Sequence, residues 1–178
     1  IIPGETTWRD ALTILEDDTS LANIEQQQSE ESGAVAIEWA RADGAPCCQL
    51  GSEDGDVVNF IFLRTTPDIS FGEAIDVIGF PSYLVGTPFS EDQAIMNLIY
   101  PNIPLVLYVF VAGETGDIQR ASEIIGILYL TEDDMERLLD TAEPGLHVWE
   151  GFESYQYYDE GEFEITPIPT ITPAEDGE

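Results

Sequence analysis

The segment 6-TTWRDALTIL-15 returns in kind at 69-ISFGEAIDVIGFPSYL-84. Thr7 corresponds to Ser70, Trp8 to Phe71, Asp10 to Glu73, Ala11 to Ala74, Leu12 to Ile75 and Leu15 to Ile78. Each copy sets a hydroxyl where a helix N-cap accepts from a free backbone N–H. Each follows it three residues later with a carboxylate. A third start of this kind is Thr131-Glu132-Asp133-Asp134. Behind each cap the apolar residues share one helical face: Ala11, Leu12, Leu15; Ala74, Ile75, Ile78; Met135, Leu138, Leu139. The second helix is expected to stop at Gly79, with Pro81 beyond it, and the first near Glu16. The polar stretch 17–33 then reads as a connection with a helical turn near Leu21.

Strand signals follow both helices. In 34-AVAIEWA-40 the residues Val35, Ile37 and Trp39 alternate with Ala36 and Glu38. Next come 46-PCCQLG-51, the turn 51-GSEDGD-56 and the β-branched and aromatic run 57-VVNFIFL-63. The second half offers 94-AIMNLIY-100, 105-LVLYVFV-111, the turn 113-GETGD-117 and 124-IIGILYL-130. Hairpins rather than crossovers join these strands, so the sheet should be antiparallel. The expected fold is α+β: two tandem helix–β–β–β repeats over one core, helices on one sheet face, plus a third helix. The first repeat spans 1–66 and the second 67–160, with the extra helix and an aromatic segment. Residues 161–178 alternate Thr and Pro among acids and read as a disordered tether.

Charge restricts the partners. The 178 residues carry a net charge of −31, with 36 acids against five bases, all arginine (Arg9, Arg41, Arg64, Arg120, Arg137). Such a chain repels phosphate backbones, so nucleic acid is excluded as a partner, and anionic membrane surfaces are disfavoured. Partners are expected to be cationic or neutral proteins or a surface glycan. No apolar run reaches the ~18 residues of a membrane span; the longest, 103-IPLVLYVFVAG-113, is strand-sized. The Thr/Pro tail and the absence of an initiator Met suit an exported segment, extracellular or on the cell envelope.

The residues 69-ISFGEAIDVIGFPSYLVG-86 resemble the helix-opening segment of small exported SmpA/OmlA-like and β-lactamase-inhibitor-like domains. Gly72, Val77, Ile78, Gly79 and Pro81 carry the likeness, with Phe80 in the variable slot. The opening departs from it, because Ser70-Phe71 precedes the glycine. The resemblance implies an exported scaffold that binds proteins and not an enzyme.

Catalytic signatures are missing. No G-x-S-x-G elbow, phosphate-binding glycine loop or EF-hand loop occurs. His147 is the one histidine, too isolated to build a zinc site with Cys47-Cys48. The two cysteines form a vicinal disulfide in an oxidising compartment or, if they alternate as in a regular strand, two inert thiols on opposite faces. No cofactor is expected beyond weak Ca²⁺ binding at 53-EDGD-56 or 114-ETGD-117. The candidate contact residues are the aromatics Trp149, Phe152, Tyr155, Tyr157 and Tyr158 and the loop acids Glu53, Asp54, Asp56, Glu114 and Asp117. The same aromatic segment could instead be a final strand or cover closing the sheet edge. The favoured function is an acidic binding or scaffold domain. The alternatives are a secreted carboxylate-dependent hydrolase and a structural spacer of a longer surface protein.

Overall fold

A computed structural model describes residues 1–65, 69–90, 93–112, 116–142 and 145–160. The expected tether at 161–178 lies outside them. The elements run α1 (Trp8–Asp17), β1 (Leu21–Gln28), β2 (Val35–Arg41), β3 (Pro46–Ser52), β4 (Phe60–Arg64), α2 (Phe71–Ile78), β5 (Tyr83–Ser90), β6 (Gln93–Tyr100), β7 (Leu105–Val111), β8 (Ile124–Leu130), α3 (Glu132–Ala142), β9 (His147–Val148) and α4 (Tyr155–Glu160). The strands form one antiparallel sheet in the order β1-β2-β3-β4-β8-β7-β6-β5-β9.

This overturns the expected helix–β–β–β repeats with helices on one face. Four strands follow each of the first two helices, because β1 and β5 form where the sequence reads as connection or loop. Both are thinly apolar. Leu21–Gln28 ends in a Gln run and breaks its alternation at a bulge, with Asn23 at φ 52°. Tyr83–Ser90 carries Gly86 and Pro88, which suit a strand near a sheet edge.

The helices do not share a face. Cross-strand partners point the same way, so Leu63, Ile127 and Leu107 mark one face across β4, β8 and β7. On that face Trp8, Ala11 and Leu15 of α1 pack over Ile37, Leu50 and Ile61. Phe71 and Ile75 of α2 pack over Met96, Leu98 and Leu107. The other face carries α3, whose Met135 and neighbouring Leu138 and Leu139 cover Ile99, Val106 and Leu128. The run LVLYVFV of β7 is apolar on both sides because helices cover it on both sides.

The two halves join where β4 pairs with β8, and each carries a matching set of internal hydrogen bonds. Trp8 N–H donates to Asp56 O and Val58 N–H to Thr6 O; Phe71 N–H donates to Ser122 O and Ile124 N–H to Ile69 O. Thr7 bridges Val57 as Ser70 bridges Glu123. Phe62 lies five residues beyond Val57, and Leu128 five beyond Glu123, and these two are cross-strand partners. A local two-fold therefore passes between them at the β4–β8 seam.

The helix starts obey their caps. Thr7 Oγ1 accepts from Asp10 N–H at 3.2 Å, and Thr131 Oγ1 from Asp134 N–H at 3.1 Å. Ser70 and Glu73 make the full reciprocal box: Ser70 Oγ accepts from Glu73 N–H, and the Glu73 carboxylate accepts from Ser70 N–H at 2.9 Å. Gly79, at φ 80°, ends α2 with its N–H on Ile75 O. The Ser70 backbone and hydroxyl hold the Glu73 carboxyl below its ordinary range. A depressed carboxyl stabilises the fold above its unfolded pKa and loses that contribution as pH falls through the folded value. Ser70→Ala removes the N-cap hydroxyl and should cost about 1 kcal/mol at neutral pH for that loss. The penalty should shrink in acid below the carboxylate range; denaturant melts of both proteins across pH read it.

Cys47 and Cys48 are joined as a vicinal disulfide. The register of β2 against β3 shifts there: Cys48 faces Trp39 and Pro46 faces Ala40, so Cys47 is the extra residue of a bulge. A regular strand sends neighbouring side chains to opposite faces, and the bulge breaks that alternation. The proline at the bulge withholds an N–H where the ladder is already interrupted.

Candidate functional site

The aromatic segment is neither a full edge strand nor a free loop. His147–Val148 pairs with Leu84 and Tyr83 as the two-residue β9, and Trp149 N–H donates to Ser82 O at 3.0 Å. A short link then leads into α4. Tyr155 of α4 lies against Gly86 of β5, where a Cβ would fall inside its ring. Tyr158 is buried, donates to Gly151 O at 2.8 Å and accepts from Glu150 N–H at 3.2 Å. Burial raises its phenol pKa. Tyr155 and Tyr158 are thus anchors, not contact groups.

Trp149 is half-buried between that anchor and the surface. It stacks on Tyr158 (centroids 6.5 Å, 23°) and on Phe80 (6.1 Å, 20°), and meets Phe71 and Phe152 edge-on at 5.7 Å. Phe80 and Phe152 also meet edge-on at 6.1 Å. Phe80, Trp149 and Phe152 are therefore one mutually packed platform, resting on the fully buried Phe71. Its outer members stay open: Phe80 is 55% and Phe152 38% exposed, and Val77 at the end of α2 is 83% exposed. Phe80 was not among the sequence candidates. The Gly79-Phe80-Pro81 exit carries it, because a large apolar residue between a helix stop and a proline has no turn of helix in which to bury.

Carboxylates edge the platform. Glu150 accepts from the Tyr157 hydroxyl at 2.8 Å, and this hydrogen bond raises the Tyr157 pKa. Glu153 is exposed, and its carbonyl accepts from Ile118 N–H at 3.1 Å, while Asp117 bridges Ser154. Asp117 is thereby brought beside the aromatic segment. Glu114 lies outside the described residues. At the far end of α2, Arg120 pairs with Asp76 at 2.6 Å and donates to Gly72 O.

The other three loop acids lie elsewhere, in the first half of the sheet. Asp54 accepts from Asp56 N–H at 2.9 Å and from the Ser52 hydroxyl at 3.1 Å, and these bonds lower its pKa. It is committed to its own turn. Glu53 pairs with Arg137 of α3 at 2.9 Å, and Arg137 also pairs with Asp134. This cluster closes one end of a groove of about 880 Å³ that the sequence reading missed, set between α3 and the β1–β2 hairpin. The two carboxylates there share one guanidinium. Among the described residues no group of three or more His, Cys, Asp or Glu is placed to hold a metal ion. None of the described helices is long and apolar enough to cross a membrane.

No family model, curated protein or solved structure matches the chain.

Proposed function

We propose that this chain is an exported acidic binding domain that takes a cationic protein partner on the Phe80–Trp149–Phe152 platform. One observation carries the reading: three packed rings, of which Phe80 and Phe152 are exposed, stand beside Glu150, Glu153 and Asp117, on a chain of net charge −31. Aromatic faces attract guanidinium and ammonium groups, and neighbouring carboxylates add long-range attraction. Arginine suits the site better than lysine, because its planar head can stack and pair at once. The vicinal disulfide supports the exported setting, since such bonds persist in oxidising compartments. The likeness of 69–84 to exported scaffold domains belongs to the same proposal.

A dodecapeptide alternating Arg and Ser serves as the probe, with its Glu counterpart as control. Binding of the Arg peptide should fall steeply from 50 to 500 mM NaCl, because screening shortens the reach of charge below about 8 Å. Affinity that ignores salt, or equal binding of the Glu peptide, would remove the electrostatic basis of the reading.

A further inference from the structure

We infer that the groove beside α3 is a second docking site, one that takes a basic amphipathic helix of a partner protein. The local two-fold makes the feature visible. On the sheet face that carries α3, the helix covers only the β6–β8 half. Among the described residues no helix covers the β2–β4 half. At the seam side of that bare half, the floor is made of Ala36 and Phe60, with Leu130 and Leu138 rising towards α3. Ala36 pairs with Gly51, and Gly51 lies under the Phe60 ring, too close for any Cβ. Ala36 is small enough to let a backbone come near, and a helix laid along α3 needs an axis separation of about 8–10 Å.

The polar groups decide which helix fits. Counted from the two-fold, Glu38 and Gln49 take the places that Ile99 and Val106 hold under α3. They bond to each other, Gln49 Nε2 donating to Glu38 Oε1 at 2.8 Å, and both are exposed. The bare half is thus apolar along α3 and polar further out, where Arg64 stands beside Glu38 and Gln49. Glu53 and Asp134 close one end, and Arg137, the one cation of the described lining, is already held by both. An apolar stripe flanked by lysine or arginine matches this pattern, and an acidic helix is repelled. A second copy of this chain would bring another −31 to the same surface.

The inference shares with the proposed function the premise of cationic partners but uses a different surface, so variants separate the two. The probe is an 18-residue amidated helix of Leu and Lys with a single apolar stripe, alongside a Leu/Glu helix of the same pattern. Calorimetry at 150 mM NaCl should show binding of the Lys helix only. Ala36→Trp fills the floor and Thr141→Trp the α3 wall, and thermal melts verify that each variant folds. Either folded variant should weaken the Lys helix at least about tenfold, while Phe80→Ala leaves it unchanged; should Ala36→Trp not fold, Thr141→Trp decides alone. Undiminished binding to a folded groove variant overturns the inference. So does loss on Phe80→Ala, equal binding of the Glu helix, or a dimer that Thr141→Trp dissociates.

Discussion

Phe71→Ala is expected to destabilise the protein by about 3–5 kcal/mol, the range for emptying a large aromatic site in a packed core. Phe71 is fully buried at the first turn of α2, under the rings of Trp149 and Phe152 and above the strand residues Met96, Leu98 and Leu107. Removing the ring takes apolar area out of the core and leaves a cavity whose lining belongs to three different elements, which limits collapse. Urea unfolding of wild type and variant measures the loss. Trp8 occupies the matching place in the first half, at the first turn of α1 and with the same pattern of backbone bonds to the segment leading into the last strand of its half. A loss under 1 kcal/mol for Phe71→Ala would show that α2 is not seated on the sheet as described.

Phe80→Ala should have the opposite profile: little effect on stability and a large one on binding. The ring is 55% exposed and stacks on Trp149 from outside. Its removal should cost about 1 kcal/mol of stability at most, in line with the small fraction of its area withdrawn from water. Binding hot spots are enriched in rings that a partner desolvates, and their truncation costs 2 kcal/mol or more. Affinity for the Arg peptide should therefore drop about thirtyfold at constant salt. Trp149→Ala would confuse the two effects, because Trp149 also packs against Tyr158 and Phe71. An unchanged affinity in Phe80→Ala would place the cationic partner elsewhere on the acidic surface.

The legible parts of the fold are those where local chemistry is decisive. Hydroxyl caps at Thr7, Ser70 and Thr131 mark helix starts because a free N–H needs an acceptor wherever the helix sits. Strands β2, β6, β7 and β8 are legible because their apolar residues alternate or run unbroken. The edge regions are not. β1 gains its strand state from pairing with β2, not from its own Gln-rich sequence, and β5 overrides Gly86 and Pro88 by pairing with β6. The face of α3 was also hidden, since Met135, Leu138 and Leu139 say only that the helix is amphipathic. The contrast between β2 and β7 held the clue. VAIEWAR alternates and buries one side, whereas LVLYVFV is apolar on both and calls for cover on both.

Site residues divide in the same way. The crowding of aromatics in 147–158 is visible in the sequence, but not which rings anchor and which stay open. Tyr158 and Trp149 differ because one meets the Glu150 and Gly151 backbone beneath α4 while the other spans from core to surface. The acidic turns 51–56 and 112–119 look alike in composition, yet the described residues 116–119 of the second lie in the other half of the sheet from the first. Among the described loop acids, only Asp117 reaches the aromatic segment, through its bridge to Ser154.

The most direct measurement is an NMR titration of the isotope-labelled chain with the Arg/Ser dodecapeptide at low salt. Shifts concentrated on the Trp149 indole N–H and on Phe80 and Phe152, collapsing on addition of 500 mM NaCl, are the predicted result. Shifts spread evenly over the carboxylate surface, with the three rings unmoved, would contradict the platform as the place where this domain meets its partner.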